Sequence, residues 1–141
     1  MSDYEYEHTV ETSATPADVY ALWSDPSTWS SWDTSVESAS IDGPFAPGTT
    51  GSMVVDGPME VTFTLLEVTP GTGYLDETVI PDAATIRFAH RAEPSADGRT
   101  TVTVRVSADG PAAADMGPMI TSDTPDALAA LVRAAEARAG A

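Results

Sequence analysis

Four side chains in this sequence have the types and positions that proton chemistry would need: His8, His90, Asp76 and Glu77. His8 and His90 are the only histidines. His8 falls in Tyr4–Glu11, where large and acidic residues alternate. His90 shares one face of a second alternating segment with Ile86 and Phe88. Both phases turn the imidazole toward a sheet interior. With an ordinary pKa near 6.5, an inward imidazole could take or give a proton near neutrality. The alternative is a buried histidine bonded to backbone or to a neighbouring tyrosine. Asp76 and Glu77 are adjacent in a strand, so one must face inward unless the strand bulges, and a slip of one residue exchanges them. An inward carboxylate between apolar walls would have its pKa raised by desolvation and could move a proton. Exposure at a sheet edge is the competing reading.

A second set could hold a ligand. Tyr6, Phe63 and Phe88 are inward aromatics in alternating segments. Trp29 and Trp32 stand three apart on a short helix, share a face, and could stack on a flat molecule or fill the core. Met53, Met59, Met116 and Met119 are soft side chains suited to an irregular wall, although methionines at helical spacing also serve as plain core. Arg87, Arg91 and Arg105 fall on outer faces. The chain has no cysteine, which removes disulfides, thiolate catalysis and cysteine-bound metal together. Two histidines without sequence-paired carboxylates match no metal-ligand spacing. There is no glycine-rich phosphate loop, nucleophile elbow or Ser/His/Asp arrangement, so no cofactor and no metal are expected.

The elements that position these residues follow from periodicity. After the first strand, Thr15-Pro16 and Asp25-Pro26 each read as a helix cap followed by a first helical position, predicting two short helices. Strands are predicted over Ser35–Ile41, Gly51–Val55, Met59–Val68, Tyr74–Ile80, Ala84–Glu93 and Thr100–Ser107. Turn residues separate them, including Asp56-Gly57-Pro58 and Pro70-Gly71-Thr72-Gly73. From Met116 the apolar period becomes helical, Pro125 must kink or restart that helix, Thr124 could cap the restart, and Gly140 ends it. Short strands joined by hairpin turns pair antiparallel. A sheet with one apolar face needs a cover, and the C-terminal helix is the only element long enough. One helix of about 10 Å diameter cannot fill a strongly curved sheet, so a pocket for a small apolar molecule is expected between them. The fold class is therefore α+β, a curved antiparallel sheet of about seven strands wrapped around a long C-terminal helix.

The chain has 141 residues, 42% of them hydrophobic, and carries a formal net charge of −16. That length suits one domain spanning residues 1–141. All six basic residues are arginine. Such a surface repels phosphate backbones and anionic lipid heads, so no nucleic acid and no membrane insertion are expected. A basic partner or a cationic ligand is one reading of the acidity; a solubilising surface is the other. No apolar run reaches the roughly 18 to 20 residues of a membrane span, and the acidic N-terminus does not read as a signal peptide. A cytoplasmic location is the expectation, as a monomer or a homodimer.

The segments Ala14–Asp25, Trp29-Ser30-Ser31-Trp32-Asp33, Gly48–Gly51, Gly57-Pro58-Met59, Phe88-Ala89-His90 and Leu128–Glu136, in this order of elements, resemble the START-related (SRPBCC) superfamily. Its fold is the helix-grip fold, and its polyketide cyclase/dehydrase branch is the nearest in kind. The resemblance runs over essentially the whole chain. It implies a small hydrophobic ligand, polyketide-like or otherwise ring-containing, with cyclisation or dehydration as the chemistry if there is any. The superfamily's range also implies two alternatives: a non-catalytic lipid or metabolite carrier or sensor, and a co-chaperone-like protein-interaction domain. No catalytic set of the aromatase/cyclases can be carried over residue by residue.

Overall fold

The computed structural model describes residues 3–33, 35–55 and 59–139. Alternating side chains form β1 (Tyr4–Thr12), β2 (Val36–Ile41), β3 (Thr50–Val55), β4 (Met59–Thr69), β5 (Gly73–Ile80), β6 (Ala84–Pro94) and β7 (Thr100–Asp109). They make one antiparallel sheet in the order β1-β7-β6-β5-β4-β3-β2. The Asp56-Gly57-Pro58 turn and the helix end at Gly140 lie outside the described residues. Irregular pairing at Val36/Ser38 in β2 and at Leu65/Glu67 in β4 inserts extra residues that bend those strands, which deepens the concave face.

β1 and β2 occupy opposite edges of the sheet, so the chain must cross between them. It does so through α1 (Pro16–Trp23), a 3-10 turn (Pro26–Thr28) and α2 (Trp29–Trp32). The Asp18 N–H donates to Thr15 Oγ1 at 3.1 Å, and the Asp18 carboxylate accepts from the Thr15 N–H at 3.2 Å. This capping box starts α1 where the Thr15-Pro16 signal predicts. Asp25 starts the 3-10 turn by accepting from the Ser27 N–H at 3.2 Å. Only then can Val19, Trp23, Trp29 and Trp32 all turn toward the sheet and become buried.

The C-terminal stretch is two helices, α3 (Ala113–Thr121) and α4 (Thr124–Ala139), restarting at Thr124-Pro125. α3 packs on β1, β6 and β7, and α4 on β1, α1 and α2. Three contacts dock them on β1. Gly117 lies so close to the Tyr4 ring that an added Cβ would overlap it. The Tyr4 hydroxyl bonds Thr121 Oγ1 at 2.7 Å, and the buried Thr12 hydroxyl donates to Glu136 at 2.6 Å. The core between helices and sheet contains Val19, Trp23, Phe63, Leu65, Val102 and Leu131 with little or no exposed surface. Each such side chain stabilises the fold by about 1.5–3 kcal/mol through burial. The result is the expected helix-grip arrangement, with the C-terminal helix divided in two.

Candidate functional site

The antiparallel registers arrange the concave face in rows. In one row, Leu65 of β4, Asp76 of β5, Phe88 of β6, Val106 of β7 and Tyr6 of β1 stand opposite one another in turn. The next row runs Val68, Tyr74, His90, Val104, His8. On the other side of Asp76 lie Phe63, Thr78, Ile86, Ala108 and Tyr4. Of the residues singled out for a ligand, Tyr6, His8, Phe63, Phe88 and His90 belong to these adjacent rows.

The row of Tyr74 and His90 is capped by aromatic rings. Tyr74 and His90 stack at 4.0 Å between centroids, 8° from parallel. Trp23 meets both edge-on, at 5.9 and 5.5 Å. Trp29 lies over Tyr74 and beside Phe63, and Phe45 meets Tyr74 edge-on at 5.0 Å. The Trp29 indole N–H donates to the Trp23 carbonyl at 3.1 Å, which holds the 3-10 turn and α2 against α1. This cluster fills the concavity beneath α1 and α2. Gly73 is required beside it, because a Cβ there would collide with the His90 carbonyl across β5 and β6.

Within the cluster and beyond it, buried polar atoms stand without partners. Among the described residues these are Trp32 Nε1, Asp76 Oδ1, Thr78 Oγ1 and His90 Nδ1. A buried polar group left unpaired costs about 1–3 kcal/mol, so four in one interior call for a physical reason. Asp76 is 4% exposed between Leu65 and Phe88, and desolvation pushes its carboxyl up to about 8. It is mostly a neutral acid at pH 7. Burial pushes His90 the other way, down to about 4, against a partial opposing pull from the Tyr74 and Phe88 backbone. Burial, then the charges of Asp76 and Asp33, hold the Tyr74 hydroxyl well above its ordinary value.

These placements revise the expectations drawn from sequence. Asp76, not Glu77, faces inward: Tyr74, Asp76 and Thr78 share the buried phase of β5. Glu77 lies opposite Arg87 on the outer face and accepts from its Nε at 2.9 Å. His90 does point inward, but burial removes its proton affinity near neutrality, so it is not a base poised at pH 7. His8 faces the same side, three strands from Asp76, which the sheet does not bring together. Met119 is 74% exposed. The Gly117–Tyr4 contact fixes Ala113, Gly117 and Thr121 as the buried face of α3 and swings Met119 to solvent, while Met116 packs partly against the core. Met59 is exposed as well, and Met53 is half-buried on β3. Trp29 and Phe63 are core residues in mutual ring contact. Tyr74, Thr78, Trp23 and Phe45 were not singled out by sequence reasoning. The phase shared by Tyr74, Asp76 and Thr78 could have found two of them.

Tyr6, His8, Met53 and Phe88 are only half-buried although they point to the concave side. Part of each therefore stays exposed, unlike their neighbours Val106 and Leu65. Two shallow recesses of about 240 and 300 Å³ lie on the other face of the sheet, around Leu75, Ala89 and Arg105. Among the described residues no three His, Asp or Glu side chains gather as metal ligands, and no helix is long and apolar enough to cross a membrane.

A curved antiparallel sheet gripping C-terminal helices, with a polar-studded aromatic interior, defines the helix-grip fold. Residues 4–136 match the family described as polyketide cyclase / dehydrase and lipid transport, and the chain belongs to that family. No curated protein is similar enough in sequence to count as a relative. Among solved structures, the di-domain ARO/CYC StfQ from the steffimycin biosynthetic pathway superposes with a TM-score of 0.79 at 13% identity. The match covers 97% of this chain but 52% of StfQ, about half its length. Ara h 8.0201 gives 0.75 at 16% identity over 95% of this chain and 98% of its own. A point mutant of Thalictrum flavum norcoclaurine synthase, in complex with a transition-state analogue, gives 0.75 at 14% over 96% and 95%. Identities this low speak for the fold alone.

Proposed function

We propose that this chain binds a small, apolar, ring-containing metabolite of the polyketide kind on its concave face, against Phe88 and Tyr6 and beside Asp76. The observation that carries the reading is Asp76 itself: a carboxyl 4% exposed, with Oδ1 unpartnered, among aromatic and aliphatic walls. Such a group is costly unless something else meets it there. A ligand with an apolar body and a polar edge satisfies both the walls and the acid.

The same acid suggests the chemistry. A neutral carboxyl can give its proton to a ketone oxygen as a carbon–carbon bond closes a ring, or to a hydroxyl as it leaves as water, and the carboxylate so formed can take up the proton that the reacting carbon releases. Holding a flexible chain in the folded geometry would itself contribute several kcal/mol toward closure. The carrier reading has its own support, since His90, pushed down to about 4, is a weak base to pair with that acid. The interaction-domain reading needs a contiguous apolar surface, whereas Met59, Val79 and Met119, the exposed large apolar residues described, sit on three different elements.

A thermal-shift screen with polyketides, flavonoids and fatty acids tests the binding. Ring compounds are expected to raise the melting temperature in proportion to the logarithm of their concentration. No rise up to their solubility limits would refute the proposal. For any ligand found to be converted, Asp76→Asn should keep binding and lose turnover; unchanged turnover would leave the carrier function only.

A further inference from the structure

We propose that the concave site admits neutral carbonyl-bearing ring compounds and turns away the corresponding carboxylates, with Asp76 and Thr78 as the residues that sort them. The inference rests on the binding reading above and adds what that reading leaves open, the charge and polar group of the ligand.

The first support is where positive charge is missing. The sequence has six arginines and no lysine. All six arginines are exposed. Arg87 pairs with Glu77, Arg105 with Glu7, Arg91 with Glu93, Arg99 with Glu11 and Arg138 with Asp18, while Arg133 lies on the open side of α4. None reaches the concave rows. The titratable groups there are Asp76, Tyr74, Tyr6, Tyr4, His90 and His8, with Asp33 close enough to Tyr74 to act on its hydroxyl. His8 stands three strand spacings from Asp76, about 14 Å. A carboxylate brought to Asp76 would therefore meet another acid between Leu65 and Phe88, and no arginine within hydrogen-bond reach. Burying an unpaired anion is among the most unfavourable events in a protein interior.

The second support is what the site offers instead. Asp76 and Thr78 are successive inward residues of β5, both nearly sealed, and each has a side-chain oxygen without a partner. A protonated carboxyl and a hydroxyl about 7 Å apart along a strand can both donate. A ketone or ester oxygen accepts such bonds and brings no charge of its own. Across the row, Leu65, Phe88, Phe63 and Ile86 supply the apolar floor on either side of the two donors. The polar groups are thus few and convergent within an apolar surface, the arrangement that orients a ligand rather than merely holding it.

Four compounds on one ring system test this at pH 7 by isothermal titration: naphthalene, 2-acetylnaphthalene, 2-naphthoate and 2-(aminomethyl)naphthalene. The acetyl compound is expected to bind at least tenfold more tightly than naphthoate and more tightly than the hydrocarbon. Asp76→Asn keeps a donor and should hold acetyl binding within about threefold, whereas Asp76→Leu and Thr78→Val should bring it toward the affinity that the same variant shows for naphthalene. Naphthoate binding as well as the ketone would overturn the proposal, as would tightest binding of the amine, which would make Asp76 a counter-ion. The wild-type comparison decides between these outcomes even if a variant fails to fold. If naphthalene and the ketone bind but do not differ from naphthoate, the sorting alone is wrong; if none of the four binds, the site reading falls with it.

Discussion

Burial moves the proton affinities of Asp76 and His90 in opposite directions, and the two shifts leave a signature in stability. Asp76 is raised to about 8, so the folded state holds a proton that the unfolded chain releases near pH 4. Its contribution is full below that value and is lost as pH rises through about 8, on the order of 5 kcal/mol in all. His90 is lowered to about 4, so its contribution is present above 6.5 and lost as pH falls. Between pH 4 and 6.5 the two slopes oppose each other. From 6.5 to 8 Asp76 acts alone, because Tyr74 is raised above its ordinary value and releases its proton only at higher pH. Urea unfolding at a series of pH values should therefore show a nearly flat region to about 6.5 and then a fall of about 2 kcal/mol by pH 8. Asp76→Asn should remove the fall. A fall of the same size in that variant would assign it to another group.

At the scale of elements, the fold depends on how the C-terminal helices seat on β1. Gly117 allows α3 to lie on the Tyr4 ring, and Tyr4 and Thr12 then reach Thr121 and Glu136. Alanine is the better helix former by about 1 kcal/mol, so Gly117→Ala would stabilise a free helix. Here the added methyl meets the ring, and the expected outcome is a loss of about 1–3 kcal/mol in chemical denaturation. A gain would show that α3 does not sit where described. The strands, the two helix starts and the restart at Thr124 were legible in the sequence because each depends on local spacing and capping. The inward choice between Asp76 and Glu77 was not. It depends on how β5 aligns with β4, and β4 carries an irregularity between Leu65 and Glu67 that no local pattern announces. Met119 was misjudged for a related reason: the periodic stripe is broad, and only the close approach at Gly117 decides which part of it turns inward.

Over the whole molecule, charge and aromaticity separate. The arginines lie outside, five of the six against carboxylates, while tryptophan, tyrosine and phenylalanine rings gather within. That separation was readable in outline from inward and outward phases along each strand. The stacked Tyr74–His90 pair, with Trp23 and Phe45 around it, was not, since it joins a helix, a loop and two strands distant in the chain. The rings close one end of the concavity, and the ligand proposed above lies beyond them, along Asp76, Phe88 and Tyr6. Intermolecular NOEs between bound 2-acetylnaphthalene and the protein's side chains test that placement most directly. The account predicts contacts to Tyr6, Phe88 and Val106; contacts confined to Leu75 and Ala89 on the outer face would contradict it.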